Sequence, residues 1–206
     1  FEKRGRAGLI TLNRPEKLNA WTQTMFTEMR GAMEQCRADR EVAAVVVTGA
    51  GRAFCSGADI AEVFKANADA QDRGQQREAS GPAVNWVDYV LNYPKPTIAA
   101  INGAAVGIGI TMILPFDIRI ASTEARIGMF FVRMGLVPEL ASSAFIAQMA
   151  GTARALEWGR TGRMIPAAEA HAAGMVAEVA EPGALLDRAV ALAGQLGGHS
   201  ALAMTL

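Results

Sequence analysis

The chain has 206 residues, of which 51% are hydrophobic and 19% are charged. This balance supplies a packed core and carries too little charge for an intrinsically disordered chain. Twenty basic and 20 acidic side chains cancel to a formal net charge of zero, which argues against nucleic-acid binding, because nucleic-acid binders usually carry a basic excess. The longest apolar run, residues 104–116, is too short to span a bilayer. We therefore expect neither a nucleic-acid partner nor a membrane partner.

Cysteine and histidine are too sparse for the usual metal or disulfide frameworks. The two cysteines, Cys36 and Cys55, and the two histidines, His171 and His199, match no familiar metal-ligand spacing. The sequence also shows no Ser-His-Asp or Cys-His signature of a nucleophilic enzyme. We expect a reduced, cytoplasmic protein without a bound metal.

Strand-like and helix-like segments alternate along the chain. Short β-rich or apolar runs predict strands at residues 8–13, 42–48, 97–101, 116–121 and 175–180. Apolar spacing and end signals predict helices at residues 18–38, 59–66, 82–91, 106–114, 138–150, 152–158, 166–173 and 183–196. The alternation predicts an α/β fold with largely parallel strands. The polar stretch 67–81 is either a lid over a pocket or a variable surface loop.

Two glycine-containing loops each follow a predicted strand and open a predicted helix. They cover residues 51–60 and 102–109. Backbone N–H groups at a helix start are unpaired and favour negative charge, so two such loops side by side could direct two N–H groups at one oxygen. That arrangement is an oxyanion hole. The same glycines also suit simple tight turns, and neither loop matches a dinucleotide or Walker fingerprint.

Six motifs, taken in order, resemble the crotonase superfamily, which is the enoyl-CoA hydratase/isomerase family. They are ITLNRPEKLNA from Ile10, AFCSGADI from Ala53, AINGAAVGIG from Ala100, FDIRIA from Phe116, GLVPE from Gly135 and AAGMV from Ala172. The resemblance implies the ClpP-like crotonase fold, a spiral of ββα units. It also implies an acyl-CoA-binding core in residues 1–150 and a mainly helical, incomplete region in residues 151–206.

The resemblance further implies a ligand, an assembly and a set of site residues. The substrate would be an acyl thioester of coenzyme A, with no separate cofactor, and the chain would form a homotrimer or a hexamer. The backbone N–H groups of Ala58 and Ile108 would hold the thioester oxygen. Coenzyme A would lie against Lys17, Leu18, Ala20, Ser56, Gly57, Asp59 and Ile60. The acyl group would lie against Gly107, Phe131 and Leu136.

The reaction depends on the carboxylates, and both hydratase glutamates are missing. One of their positions holds Thr111, and the other falls in the run Met129-Phe130-Phe131. Glu139 remains, in a Pro-Glu-x-x-Ser-Ser stretch similar to that of Δ3,Δ2-enoyl-CoA isomerases, where this glutamate is the single base. One base can take a proton from C2 and return it at C4. The sequence therefore favours an isomerase that converts 3-enoyl-CoA to 2-enoyl-CoA.

Other functions stay open from the sequence alone. The chain is alternatively an enoyl-CoA hydratase, another crotonase-type lyase or hydrolase, or an acyl-CoA-binding subunit without catalysis. The acidity of Glu139 is also open, because burial would raise its pKa whereas the start of the predicted helix at 138–150 would lower it.

Overall fold

The computed structural model describes residues 1–62 and 82–199, and it describes residues 82–85 by their backbone. The helix predicted at 59–66 begins at Ile60 inside this range, whereas the remainder of that helix and the polar stretch 67–81 lie outside the described residues.

Six strands of the described ranges form one sheet. In sheet order they are β1 (Glu2–Arg4), β2 (Ala7–Leu12), β3 (Ala44–Gly49), β5 (Thr97–Ile101), β7 (Ile118–Ser122) and β10 (Glu178–Ala180). All neighbouring pairs are parallel except β1 with β2. Five of the six residues of β3 are buried, as expected for a strand covered on both faces. The predicted parallel α/β arrangement is confirmed.

A second, smaller sheet was not predicted. Its strands, in sheet order, are β4 (Ala53–Cys55), β6 (Ala104–Val106), β8 (Arg126–Gly128) and β9 (Met164–Pro166). Each has three residues, which is too short to show a hydrophobic period. Strands β4, β6 and β8 follow β3, β5 and β7 along the chain, so three consecutive units each place one strand in each sheet.

The helices agree with the predicted segments more closely at their ends than at their starts. They are α1 (Gln23–Ala38), α2 (Pro82–Leu91), α3 (Ile108–Thr111), α4 (Ser142–Ala150), α5 (Thr152–Thr161), α6 (Ala167–Ala172) and α7 (Leu185–Leu196). Two 3₁₀ turns lie at Pro15–Lys17 and Phe130–Met134.

Three predicted helix boundaries were wrong for local reasons. The helix predicted from residue 18 begins at Gln23, because Leu18 adopts a left-handed backbone and the Thr22 side chain caps the first turn. The helix predicted at 106–114 shortens to α3, because residues 104–106 pair with β8 instead. The helix predicted from residue 138 begins at Ser142, after two left-handed residues.

Two apolar layers enclose the main sheet. Helices α1 and α2 cover one face, and Leu185, Ala189 and Ala193 of α7 cover the other. Strand β9 belongs to the smaller sheet and strand β10 to the main sheet, although both come from residues 151–206. The proposed division at residue 150 stays a prediction. Within the described ranges no helix is long and apolar enough to cross a bilayer.

Candidate active site

The two glycine loops lie at the same edge of the main sheet. They follow β3 and β5, which are parallel neighbours, so their carboxyl ends meet. The side chain of Asn102 joins the loops. Its amide oxygen accepts from the N–H of Gly49 at 3.0 Å, and its amide nitrogen donates to the carbonyl of Gly51 at 2.9 Å. The predicted neighbourhood of the two loops is therefore present in the structure.

The first loop presents the N–H of Ala58 without an acceptor. A parallel bridge to Trp21 uses the groups on either side of it. The N–H of Trp21 donates to the Gly57 carbonyl at 2.7 Å, and the N–H of Asp59 donates to the Trp21 carbonyl at 2.8 Å. In such a bridge the intervening residue turns its own N–H away from the partner strand. Within the described part of the chain, the Ala58 N–H bonds to no group.

The second loop presents the N–H of Ile108 in the same way. Gly107 has a φ of 53°, a conformation that side chains disfavour, and its N–H donates to the Gly128 carbonyl at 2.9 Å. Ile108 is the first residue of α3, where a helix leaves N–H groups unpaired. No acceptor for the Ile108 N–H occurs among residues 1–62 and 82–199.

Glycine allows the two loops to approach each other closely. A Cβ at Gly109 would lie 2.3 Å from the carbonyl oxygen of Cys55, and a Cβ at Gly57 would lie 3.3 Å from the carbonyl oxygen of Val106. The unpaired N–H groups therefore belong to two backbones in direct contact. This pairing is what an oxyanion hole needs, and its use as one stays a prediction.

Glu139 lies half-buried on the neighbouring segment. Its Oε1 accepts from the hydroxyl of Thr111 at 3.3 Å, and Thr111 is fully buried. Burial raises the pKa of Glu139 above its usual value, and the Thr111 hydrogen bond opposes that shift. The helix begins only at Ser142, so the group opposing burial is the Thr111 hydroxyl and not the helix start. This arrangement suits a general base whose pKa lies above that of an ordinary carboxylate.

The residues expected around coenzyme A fall on two adjoining stretches. The N–H of Ser56 donates to the Leu18 carbonyl at 3.0 Å, which joins residues 17–20 to residues 56–60. The Asp59 carboxylate pairs with Arg14 at 3.1 Å, and this contact lowers the pKa of Asp59. The other residues expected around coenzyme A lie in the same two stretches. Lys17 and Ile60 are exposed, Ala20 is half-buried and Gly57 is buried. Their contact with coenzyme A stays a prediction.

Asn19 holds this region together, and the sequence analysis did not single it out. Its buried side-chain amide donates to the carbonyls of Ala50 at 2.9 Å and Ala53 at 2.8 Å, and it accepts from the N–H of Arg14 at 2.8 Å. The available signal was the residue type, because asparagine accepts a left-handed backbone more readily than most residues, and Asn19 has a φ of 54°.

The residues expected around the acyl group are more scattered. Phe131 is buried in the second 3₁₀ turn, and Gly107 lies at the start of α3. Leu136 is 61% exposed, so its side chain meets little protein in the described ranges. Cys55 is fully buried, and burial raises its pKa to about 11, so its sulfur is a thiol that packs in the main core.

Two sheets built from consecutive parallel units, with two glycine loops at one edge, define the crotonase fold. A comparison with protein families gives the same class, because the family described as "Enoyl-CoA hydratase/isomerase" matches residues 2–206.

Individual relatives agree with that match. The chain is 38% identical over 199 residues to "Probable enoyl-CoA hydratase" of Rhizobium meliloti (strain 1021), covering 97% of this chain and 75% of that protein. It is 35% identical over 192 residues to "1,2-epoxyphenylacetyl-CoA isomerase" of Escherichia coli (strain K12), covering 91% and 71%. A crystal structure of an enoyl-CoA hydratase from Polaromonas sp. JS666 superposes with a TM-score of 0.89 at 32% identity, covering 99% and 79%.

The chain therefore belongs to the enoyl-CoA hydratase/isomerase family, whose enzymes act on coenzyme A thioesters. Hydratase names are the more frequent among these relatives, and an isomerase name also occurs.

Proposed function

We propose that this chain is an enoyl-CoA isomerase, which moves the double bond of a 3-enoyl-CoA to the 2-position with Glu139 as the proton carrier. The observation that carries the proposal is the half-buried Glu139 carboxylate, bonded to Thr111, the last residue of α3. By resemblance, Thr111 itself occupies one of the two hydratase glutamate positions.

The proposed reaction uses one base and two backbone donors. The Glu139 carboxylate takes a proton from C2, and the C2–H electron pair forms a dienolate whose negative charge rests on the thioester oxygen. The N–H groups of Ala58 and Ile108 stabilise that oxygen, at roughly 3–4 kcal/mol for a well-placed donor. Glu139 then returns the proton at C4, the remaining electrons form the C2=C3 bond, and the carboxylate is regenerated.

Hydration needs a second polar group, and the proposed site replaces it with an apolar one. Adding water requires one group that activates the water and one that protonates carbon. Buried Phe131 falls where the second hydratase carboxylate is expected, and an aromatic ring cannot activate water. Hydration is nevertheless the second candidate, because the relative from Rhizobium meliloti carries a hydratase name.

A paired assay separates the two candidates. Purified protein receives cis- and trans-3-hexenoyl-CoA, and separately trans-2-hexenoyl-CoA in H₂¹⁸O, with ultraviolet absorbance and mass spectrometry as readouts. An isomerase gives a conjugated product of unchanged mass, and Glu139→Gln lowers kcat by about 10²–10⁴-fold. The matched control is Glu181→Gln, since Glu181 is exposed and its side chain bonds to no described residue.

Each other result of this assay contradicts the proposal. Gain of a labelled water would assign the hydratase function. Binding of coenzyme A esters without any turnover would assign an acyl-CoA-binding subunit.

The proposal also includes self-assembly, as a homotrimer or hexamer. The stretch 132–137 carries four strongly exposed apolar side chains: Val132 at 49%, Met134 at 59%, Leu136 at 61% and Val137 at 84%. Several exposed apolar side chains within six residues are typical of protein interfaces. A second copy of the chain is the occupant we propose.

A further inference from the structure

The chain reverses direction immediately after Glu139 through a turn of unusual composition. The N–H of Ser142 donates to the Glu139 carbonyl at 2.9 Å, which closes a four-residue turn. Its two central residues, Leu140 and Ala141, both have a φ of 53°. Two positive φ values in succession are typical of a type I′ turn, which normally uses Gly, Asn or Asp.

This turn is strained, because leucine and alanine both disfavour the left-handed conformation. Such strain persists only where the surrounding structure imposes it. Leu140 supplies that constraint, since its side chain is buried in the main core at 8% exposure. Ala141, in contrast, is exposed. The hydroxyl of Ser142 is buried and has no partner among the described residues, so the backbone bond closes the turn without side-chain help.

The turn and Thr111 hold Glu139 from two sides. The turn fixes its backbone carbonyl, and the Thr111 hydroxyl bonds its carboxylate. Thr111 lies three residues after Ile108 in α3, which is about one helical turn, or roughly 4.5 Å along the axis. The carboxylate is therefore bonded to a residue that lies about one helical turn from Ile108, whose N–H has no acceptor in the described ranges.

We propose that the left-handed turn Glu139–Ser142 positions the Glu139 carboxylate against α3, and that Ala141 is a positioning residue for the reaction. This inference rests on the proposed function of Glu139. It makes a specific demand on residue 141, which must tolerate a positive φ. The side chain of Ala141 is exposed, so neither a cavity nor a core contact limits the size of the residue at this position.

The test is a series of substitutions at residue 141 ranked by tolerance of a positive φ. Glycine and asparagine accept this conformation, so Ala141→Gly and Ala141→Asn should keep kcat within about twofold. The β-branched Ala141→Val should move the backbone out of the turn and lower kcat at least about tenfold with little change in KM. Ala141→Thr repeats the β-branched change with a more soluble side chain, and circular dichroism checks folding.

Ala144 provides the matched control, because it is an exposed alanine of the same segment inside α4. Valine there should leave kcat unchanged. Glycine there should lower Tm by a few degrees, whereas Ala141→Gly should raise it.

A second readout does not depend on turnover. Carbon-13 NMR titration of the Glu139 carboxyl should show its raised pKa in the parent chain, Ala141→Gly and Ala141→Asn. In Ala141→Val the carboxyl should titrate closer to the usual glutamate value, since it becomes more hydrated. Unchanged kcat and unchanged titration in both β-branched variants would overturn the positioning role. If the parent chain isomerises nothing, the proposed function fails, while the titration still decides whether the turn places Glu139.

Discussion

At the scale of single residues, the acidity of Glu139 should set the pH range of the proposed reaction. A base must be ionised to accept a proton, so kcat/KM should fall as the pH drops through the pKa of Glu139. Burial raises that pKa, so the acidic limb of the profile should lie above the usual glutamate value of 4.5. A pH–rate profile with 3-hexenoyl-CoA measures this limb.

Replacing Thr111 tests the cause of the shift. The Thr111 hydroxyl lowers the pKa of Glu139, so Thr111→Val should raise that pKa further and move the acidic limb to higher pH. Thr123→Val is the matched control, because Thr123 is exposed and its side chain makes no hydrogen bond to Glu139 in the described part of the chain. A limb that moves to lower pH, or does not move, would show that this hydrogen bond does not act on the carboxylate.

At the scale of elements, the contact between α3 and β4 decides whether the two unpaired N–H groups stay together. Gly109→Ala would place a Cβ 2.3 Å from the Cys55 carbonyl oxygen and 2.9 Å from its Cβ. Because these are backbone and fully buried atoms, α3 must move away from β4. We expect a loss of roughly 1–3 kcal/mol in the free energy of unfolding and about 10²-fold in kcat.

The control for this substitution is a glycine with open space around it. Gly159 lies within α5, and a Cβ there would meet nothing within 4 Å. Gly159→Ala should raise the free energy of unfolding by roughly 0.5–1 kcal/mol and leave kcat unchanged. Urea denaturation and the isomerase assay on both variants provide the comparison. Wild-type activity in Gly109→Ala would refute the role given to this contact.

The elements that the sequence predicted well are those with strong local signals. Strand β5 and helix α2 match their predicted limits, because an unbroken apolar run and a stop at Tyr93-Pro94 leave little choice. The second sheet was missed because each of its strands has three residues and is specified by pairing with distant neighbours. Tertiary contacts, not local periodicity, create these strands.

The same distinction between local signals and tertiary contacts applies to the site. The glycine loops and Glu139 could be found from motifs, because glycine marks close backbone approach and a carboxylate marks acid–base chemistry. The turn after Glu139 could not, since leucine and alanine carry no signal for a left-handed backbone. The hydrogen bond from Thr111 joins residues 28 positions apart and depends on the packing of α3 against the segment before α4.

At the scale of the whole molecule, the apolar stretch 132–137 predicts self-association. Val137→Glu and Leu136→Glu together would place two like charges on the most exposed part of this surface. We expect the mass measured by light scattering to fall from a trimer or hexamer toward a single chain, with little change in the circular dichroism spectrum. The control is Leu156→Glu, an exposed apolar residue on α5 outside the stretch. A monomeric parent chain would contradict the prediction.

The groups proposed to hold the thioester oxygen are the main-chain N–H groups of Ala58 and Ile108. This limits which substitutions can remove them. No side-chain replacement deletes a peptide N–H except a change to proline, so an alanine scan cannot detect these donors. Replacing each amide by an ester through chemical synthesis would expose them. In the proposed site, polarisation of the thioester therefore comes with the fold, whereas the reaction that follows would depend on a few exchangeable side chains such as Thr111, Phe131 and Glu139. Relatives named as hydratases and as an isomerase can thus share one backbone.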